Sequence, residues 1–217
     1  MGTNYDAVVF DNDGVLTTPT DRDVLLAAIA SAFDDVGVAD PPREHVETLL
    51  GPTLSELRRI AAGHEVDPAT LWTARERAAV EAQLEEILTG RKRRYDDVEA
   101  VDSIDVPTAI VSNNQHRTIA NILEHCELDG FEVWYGREPT LEGIERKKPA
   151  PYYLERAIDD LGATDPLYVG DSPVDVVASE AAGVDVAFVR RDHRLAADPP
   201  TEPQHDIDSL TALPELL

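Results

Sequence analysis

Short apolar runs that end in polar turns recur along the chain and predict a sheet of buried strands. The runs cover residues 7–10, 109–111, 131–135, 167–170 and 184–189. Segments with helical apolar spacing separate the later runs and cover residues 117–127, 151–161 and 174–182. Because strands alternating with helices are typical of βαβ units, we predict an α/β fold with a Rossmann-like, doubly wound, mostly parallel sheet.

Glycine and proline mark where several of these elements end. Gly162 and Gly183 each follow a predicted helix, and glycine is the residue that most readily adopts the left-handed turn after a helix. Residues 196–204 are rich in proline, and we expect a loop there before a short final helix.

About a hundred residues between the first two predicted strands have helical spacing and no strand pattern. The predicted helices in this interval cover residues 21–36, 43–50, 54–62 and 67–88. Such a crossover is too long for one connection. We therefore predict a helical cap domain (17–92) inserted after the first strand of a core domain (1–16 and 93–217). The basic cluster 91–94 at the cap exit is interpreted as a solvated hinge, with phosphate steering as the alternative.

The composition excludes several classes of partner. The chain has 43 acidic and 19 basic residues, a net charge of −24. Nucleic acids and anionic membranes need cationic contacts, so we expect neither as a partner. The longest apolar stretch, residues 25–33, is far shorter than the ~20 residues that span a bilayer. The N-terminus lacks the pattern of a secretory signal, so we expect a cytoplasmic protein; its single cysteine, Cys126, excludes an internal disulfide.

Lysine is scarce among the basic residues. There are sixteen arginines and only three lysines, Lys92, Lys147 and Lys148. An acidic surface poor in lysine resembles proteins of salt-accumulating organisms, because ~1 M salt shortens the screening length to about 3 Å and removes most of the repulsion. We predict a halophilic protein, with an ordinary acidic bacterial protein as the alternative.

Polar residues follow the predicted strands at the edge where parallel sheets bind ligands. They are Asp11 and Asp13 after the first strand, Ser112 after the second, Asp171 and Asp175 after the fourth, and Lys148 before the helix that leads to the fourth. We expect these side chains to converge on one site.

This set of residue types suits phosphoryl transfer. Mg²⁺ prefers carboxylate oxygens, and a carboxylate can attack phosphorus to give an acyl-phosphate. A second acid can protonate the leaving oxygen and then activate water, while a hydroxyl and a lysine bind the phosphoryl oxygens. Scarcity supports Lys148 independently, because a chain nearly devoid of lysine keeps one before Pro149. Its neighbour Lys147 is interpreted as solvated.

Four segments resemble the four motifs of the haloacid dehalogenase (HAD) superfamily. They are Asp11-Asn12-Asp13-Gly14, Ser112-Asn113-Asn114, Lys148-Pro149-Ala150-Pro151 and Gly170-Asp171-Ser172-Pro173-Val174-Asp175. The helical insertion is similar to the C1 cap of the phosphoglycolate phosphatase-like group. Its residues 50–54 resemble a substrate-facing loop, with a simple helix–helix turn as the alternative.

The resemblance implies a role for each polar residue of the set. Asp11 is then the nucleophile and Asp13 the general acid/base. The Mg²⁺ ligands are Asp11, the backbone carbonyl of Asp13, and Asp171, with Asp175 as the additional acid of the last motif.

Three residues remain for the substrate. Ser112, Asn113 and Lys148 are expected to bind its phosphate, and Lys148 is also counted among the catalytic residues.

The resemblance thus implies a magnesium-dependent phosphatase that hydrolyses a small phosphorylated metabolite through an aspartyl-phosphate on Asp11. Phosphoglycolate is the candidate substrate. A hexose-phosphate mutase of the same fold is the alternative, and a non-catalytic phospho-acceptor or binding protein is the alternative from another class. Asp13 argues against a haloacid dehalogenase, since such enzymes generally lack this second acid.

Overall fold

The computed structural model describes residues 5–194 and 198–217. Residues 1–4 of the predicted core segment, and residues 196 and 197 of the predicted loop, lie outside this description. None of the described helices is long and apolar enough to cross a bilayer.

A six-stranded parallel sheet forms the centre of the molecule. Its strands are β1 (Ala7–Phe10), β2 (Thr108–Gln115), β3 (Val133–Arg137), β4 (Pro166–Gly170), β5 (Asp185–Val189) and β6 (His205–Ile207). The order β3-β2-β1-β4-β5-β6 puts β1 between β2 and β4, and the chain winds outward in both directions. The predicted doubly wound, Rossmann-like sheet is therefore confirmed.

The sheet differs from the prediction in three places. The strand β6 was not predicted, because His-Asp-Ile is too short to form an apolar run. The strand β3 begins two residues later than predicted. The strand β2 continues past Val111 to Gln115, with a shift in its pairing between these residues. A bulge of this kind redirects side chains, and this one lies at the carboxyl edge of the sheet.

Within residues 5–194 and 198–217, eight α-helices surround the sheet or follow β1. They are α1 (Arg22–Asp35), α2 (Arg43–Thr48), α3 (Leu54–Gly63), α4 (Pro68–Leu88), α5 (His116–His125), α6 (Leu141–Arg146), α7 (Tyr152–Leu161) and α8 (Pro173–Ala182). The short helix α6 and a 3-10 helix over Asp96–Ser103 were not predicted. Gly162 and Gly183 end α7 and α8 with left-handed φ values of 66° and 72°, as predicted.

Alternation along the strands divides the core between the two faces of the sheet. Val8 and Phe10 of β1 pack in one apolar cluster, together with Ile119 and Ile122 of α5. Val9 packs in the other cluster, which contains residues of α7 and α8. Successive side chains of a strand point to opposite faces, so β1 is buried on both sides and holds the residue that follows it, Asp11, in a fixed position.

The helices α1–α4 have an apolar cluster of their own. It includes Phe33 of α1, Leu57 of α3 and Trp72 of α4, and Ile144 of α6 joins it. The two linkers to these helices run side by side, because Thr17 pairs with Arg94 in an antiparallel bridge. That 17–92 acts as a separate cap domain stays a prediction.

Candidate active site

A cavity of about 370 Å³ lies between the carboxyl edge of the sheet and the inserted helices. Most of the predicted site residues line it, namely Asp11, Asp13, Ser112, Asn113, Lys148 and Asp171. Asp175 does not line the cavity, but it contacts Lys148. The topology therefore brings the predicted set together.

Asp11 and Lys148 form the ion pair at the base of this cavity. The Asp11 Oδ1 lies 2.9 Å from Lys148 Nζ, and both side chains are almost fully buried. Burial raises the pKa of Asp11 to about 6, and the charge of Lys148 opposes this shift. Burial alone would lower the pKa of Lys148, but the charges of Asp11 and Asp175 raise it above its usual value. The lysine therefore stays cationic beside Asp11.

Three further side chains hold Lys148 in place. Its Nζ donates to Asp175 Oδ1 at 2.6 Å and to the Tyr168 hydroxyl at 2.7 Å. The Asn113 side chain bonds the backbone of Lys148 at both ends, with its Nδ2 donating to the Lys148 carbonyl and its Oδ1 accepting from the Lys148 N–H. Asn113 thus positions the lysine, and its role in phosphate binding stays a prediction.

Asp171 offers an oxygen without a partner. Its Oδ1 is buried and has no hydrogen-bond partner among the described residues, while Oδ2 lies 2.9 Å from His193 Nε2 and 3.4 Å from Arg194 Nε. Burial and, to a smaller extent, the charge of Asp11 together raise the pKa of Asp171 to about 7. Two buried carboxylates that both resist ionisation form a site in which a cation is stabilising.

These carboxylates fit a divalent metal ion. One oxygen each of Asp11, Asp171 and Asp175 lies within 4.8 Å of the others, and Mg²⁺ prefers such oxygen donors. Both oxygens of Asp175 already accept hydrogen bonds, Oδ1 from Lys148 and Oδ2 from the Ser172 N–H. Asp171 is therefore the freer ligand. The Asp13 side chain is not in this cluster, so only its backbone carbonyl remains the predicted ligand.

Gly14 lets the turn after β1 approach Asp171 closely. A Cβ at this position would lie 2.2 Å from Asp171 Oδ2, and the backbone has a left-handed φ of 89°. Both constraints require glycine. The turn therefore brings the backbone beside the metal-ligand candidates without a side chain between them.

Asp13 is held by its neighbours on both carboxylate oxygens. Lys92 Nζ contacts Oδ1, and Asn114 Nδ2 donates to Oδ2 at 2.6 Å. Lys92 also donates to the Thr18 carbonyl at 2.9 Å, and its side chain is fully buried. The interpretation of this lysine as part of a solvated hinge was wrong, because the paired linkers turn it inward onto the acid.

One wall of the cavity is positively charged, and this wall was not predicted. Arg75 of α4 and Arg137 of β3 are both buried and both pair with Glu76, at 2.7 and 2.8 Å. Their guanidinium groups lie 5.2 and 4.6 Å from the ring centroid of Trp72. Residues from the insertion and the sheet thus share one buried network at the cavity.

Lys147 also lines the cavity, and its interpretation as solvated was wrong. Its Nζ donates to the Pro52 carbonyl at 2.9 Å. Burial and, to a smaller extent, the charges of Arg137 and Arg75 together lower the pKa of Lys147 to about 8. All three lysines of the chain therefore belong to this site. Their scarcity could have identified Lys92 and Lys147 as well as Lys148.

Known proteins share this fold and its motifs. The family model described as haloacid dehalogenase-like hydrolase matches residues 8–189. A phosphoglycolate phosphatase from Neisseria gonorrhoeae is 30% identical over 97% of this chain and 91% of its own. The pyrophosphatase PpaX from Halalkalibacterium halodurans is 24% identical over 84% of this chain and 82% of its own. CbbY from Rhodobacter sphaeroides, solved in complex with phosphate, superposes with a TM-score of 0.69 at 16% identity, covering 96% of each chain.

The chain belongs to the haloacid dehalogenase-like hydrolase family, as the resemblance predicts. The match covers both the motifs after the strands and the helical segment between β1 and β2. The predicted enzyme class, a phosphatase, is confirmed as well, and the alternative of a non-catalytic protein is not favoured.

Proposed function

We propose that the protein hydrolyses a small phosphomonoester with Mg²⁺, through an aspartyl-phosphate on Asp11. The observation that supports this most is the buried pair of Asp11 and Lys148 beside Asp171, which has a free oxygen. A nucleophile, a cation for the phosphoryl oxygens and a metal ligand thereby meet at one edge of the cavity.

In this proposal Asp11, Asp171 and the backbone carbonyl of Asp13 hold Mg²⁺. When bound, the ion offsets the repulsion between the carboxylates and the incoming phosphate and favours the charged form of Asp11. Asp175 acts mainly by holding Lys148, because its Oδ1 is bonded to that lysine and to Tyr168.

The first step transfers the phosphoryl group to Asp11. A carboxylate oxygen of Asp11 attacks phosphorus, the bond from phosphorus to the ester oxygen breaks, and Asp13 donates its proton to that oxygen. Lys148 and the Ser112 hydroxyl bind the phosphoryl oxygens, where charge must be held. The alcohol leaves with the proton of Asp13.

The second step regenerates Asp11. Asp13, now ionised, takes a proton from a water molecule whose oxygen attacks phosphorus. The bond between phosphorus and the Asp11 oxygen breaks, which releases inorganic phosphate and returns the carboxylate.

Lys92 is a positioning residue in this scheme. Lys92 and Asn114 hold opposite oxygens of Asp13, and Asn114 is itself bonded to Gln83 of α4. The acid/base is thus tied both to the linker that leaves the insertion and to the insertion's longest helix. We infer that residues 17–92 act as a cap whose position governs the orientation of Asp13.

Phosphoglycolate is the proposed substrate. Two curated relatives that match nearly the whole chain, both from Neisseria, are phosphoglycolate phosphatases. The cavity of about 370 Å³ and its enclosure by inserted helices also suit a small ester.

Trapping of the phosphoenzyme tests the mechanism. The purified protein is mixed with Mg²⁺ and phosphoglycolate in KCl, quenched in acid and mapped by mass spectrometry, with the Asp11→Asn variant as control. A phosphorylated peptide containing Asp11 is expected. Turnover without any phosphoenzyme would contradict the mechanism, and exchange between hexose 1-phosphate and 6-phosphate would favour the mutase alternative.

A further inference from the structure

The charges that line the cavity differ from those of the chain as a whole. Among the described residues that line it, the acidic ones are Asp11, Asp13 and Asp171, here called the acidic floor. The basic ones are more numerous, and they are Arg75, Arg137, Lys147, Lys148 and Arg194. A chain with 43 acids and 19 bases therefore encloses a cavity in which cations outnumber acids.

The cations of the floor have partners there. Lys148 pairs with Asp11, and Arg194 lies 3.4 Å from Asp171. The lysine of the exit linker, Lys92, contacts Asp13. A bound metal ion would add further positive charge at this place, so the floor needs no other cation.

The remaining three cations, Arg75, Arg137 and Lys147, are here called the cationic wall. One carboxylate, Glu76, serves both arginines, and no described acidic residue lies within ion-pair distance of Lys147 Nζ. Buried charge without a counter-charge is costly. The wall therefore holds more positive charge than the protein itself balances.

A buried donor next to the wall also has no partner. Trp72 is 2% exposed and lines the cavity, and its indole Nε1 has no hydrogen-bond partner among the described residues. Buried tryptophan N–H groups usually find an acceptor. Lys147 donates to one carbonyl, that of Pro52, although an ammonium group has three N–H donors. Both residues can therefore donate to a bound ligand.

We propose that the cationic wall and the Trp72 N–H form a second subsite, which binds an anionic group of the substrate distant from the scissile phosphate. The inference rests on the proposed phosphatase function and names its substrate class: a phosphomonoester with a second oxyanion, either a carboxylate or another phosphate. Arg75 and Arg137 provide fixed positive charge, since Glu76 and the carbonyl groups of Leu49 and Asn113 hold them. Lys147 provides the adaptable donor.

Three matched esters test this subsite. They are phosphoglycolate, 2-hydroxyethyl phosphate, in which a hydroxymethyl group replaces the carboxylate, and ethylene glycol bisphosphate, in which a phosphooxymethyl group replaces it. The wild-type kcat/KM should be at least about tenfold higher for one or both of the anionic esters than for the hydroxyethyl ester, because charged hydrogen bonds are the strong ones. The better of the two identifies the oxyanion. Equal values for all three esters would overturn the subsite.

Variants test which residues produce the preference for anionic esters. Lys147→Met removes the charge with little change in volume, and Trp72→Phe removes the indole N–H while keeping an aromatic ring beside the two arginines. Each should reduce the ratio of kcat/KM between the preferred anionic ester and the hydroxyethyl ester, by about 10-fold or more for Lys147→Met. The exposed Arg59 of α3 is the matched control, and Arg59→Met should keep the wild-type ratio. An unchanged ratio in both Lys147→Met and Trp72→Phe would overturn the proposal.

A fourth ester, p-nitrophenyl phosphate, separates this inference from the function on which it rests. Its hydrolysis together with equal rates on the three matched esters would contradict the subsite alone. Failure to hydrolyse any of the four esters with Mg²⁺ would contradict the phosphatase mechanism, and the subsite with it.

Discussion

The acidic floor and the cationic wall border the same cavity but are built in different ways. The floor consists of residues that directly follow strands, so the parallel sheet alone brings them together. The wall takes Arg75 from α4, Arg137 from β3 and Lys147 from the segment before α7. Short local motifs thus specify the reacting groups, whereas tertiary packing assembles the groups that we expect to select the substrate.

The largest effect is expected at the floor. Asp11→Asn should abolish turnover, because an amide cannot form the acyl-phosphate. Asp13→Asn should slow turnover by about 10²- to 10⁴-fold, the usual contribution of a general acid/base. Steady-state rates of both variants, with circular dichroism to verify folding, provide the measurement. Retention of more than a few per cent activity by Asp11→Asn would require direct attack by water instead.

Removal of the metal ion should reduce turnover almost as strongly as the Asp11→Asn substitution. Chelation is expected to abolish activity, since the carboxylates of Asp11 and Asp171 would then repel the phosphate. Added Mg²⁺ should raise the thermal midpoint, because a ligand that binds only the folded state stabilises it. Asp171→Asn should lose this shift. Full turnover in excess chelator, or an undiminished shift in Asp171→Asn, would refute the assignment of the ligands.

Lys92 should affect the rate of hydrolysis through Asp13. The dependence of this effect on the leaving group tests the assignment. Lys92→Met is expected to slow hydrolysis of alkyl phosphates by about 10- to 100-fold, the cost of one charged hydrogen bond. The effect on p-nitrophenyl phosphate should be much smaller, because p-nitrophenolate leaves without a proton. The exposed neighbour Arg93, changed to Met, serves as the control. Equal slowing of both substrates would indicate a structural role only.

The wall should show a pH dependence that the floor does not share. The pKa of Lys147 is lowered to about 8, and the groups that act on it are Arg75, Arg137, Glu56 and Glu76. Arg75, whose pKa is lowered by burial to about 10, stays charged around this pH, and hydrogen bonds from Thr53 lower the pKa of Glu56, which therefore stays ionised. Lys147 is therefore cationic below pH 8 and loses its charge above it. We expect the preference for the anionic ester to fall as the pH rises through 8. The measurement is the ratio of kcat/KM for the preferred anionic ester to kcat/KM for 2-hydroxyethyl phosphate.

Lys147→Arg provides the control for this titration, because arginine keeps its charge throughout the range. The kcat/KM ratio of the Lys147→Arg variant should stay constant over the pH range in which the wild-type ratio falls. The two esters share the same phosphate group, so its own ionisation cancels in the ratio. A parallel fall in both proteins would assign the titration to another group.

The smallest effect on chemistry is expected from salt, which acts on the acidic surface rather than on the cavity. The thermal midpoint should rise with KCl between about 0.1 and 3 M, because the Debye length falls to about 3 Å near 1 M and repulsion between the surface acids is screened. The contribution of screening should saturate below ~1 M, whereas salting-out continues to rise. A flat curve would contradict the predicted adaptation to salt.

The floor could be predicted because its information is local. Asp11 and Asp171 stand directly after apolar runs and Asp13 stands two residues further on, and the sheet type needs only the alternation of strands and helices. The weakest strand, β6, escaped prediction because it has three residues and a single buried one, Ile207.

The wall could not be predicted because nothing local distinguishes its residues. Arg75 and Glu76 occur in an ordinary charged helix sequence, and only the tertiary structure buries them together with Arg137 of β3. The scarcity of lysine, which identified Lys148, applies equally to Lys92 and Lys147, whose positions were misinterpreted. In a chain where arginine replaces lysine almost everywhere on the surface, each remaining lysine indicates a place where a compact ammonium group is needed.

The side-by-side linkers have a consequence for engineering and for the history of such proteins. Thr17 pairs with Arg94, and the Thr18 N–H donates to the Arg93 carbonyl at 2.8 Å. The chain thus leaves the sheet and returns to it at adjacent points. We therefore expect that segments of different length and sequence can be exchanged between these points without displacing β1 or β2, provided that the lysine in contact with Asp13 is kept. If residues 17–92 act as a cap, as we propose, exchange of that segment is a route by which new substrates can be acquired.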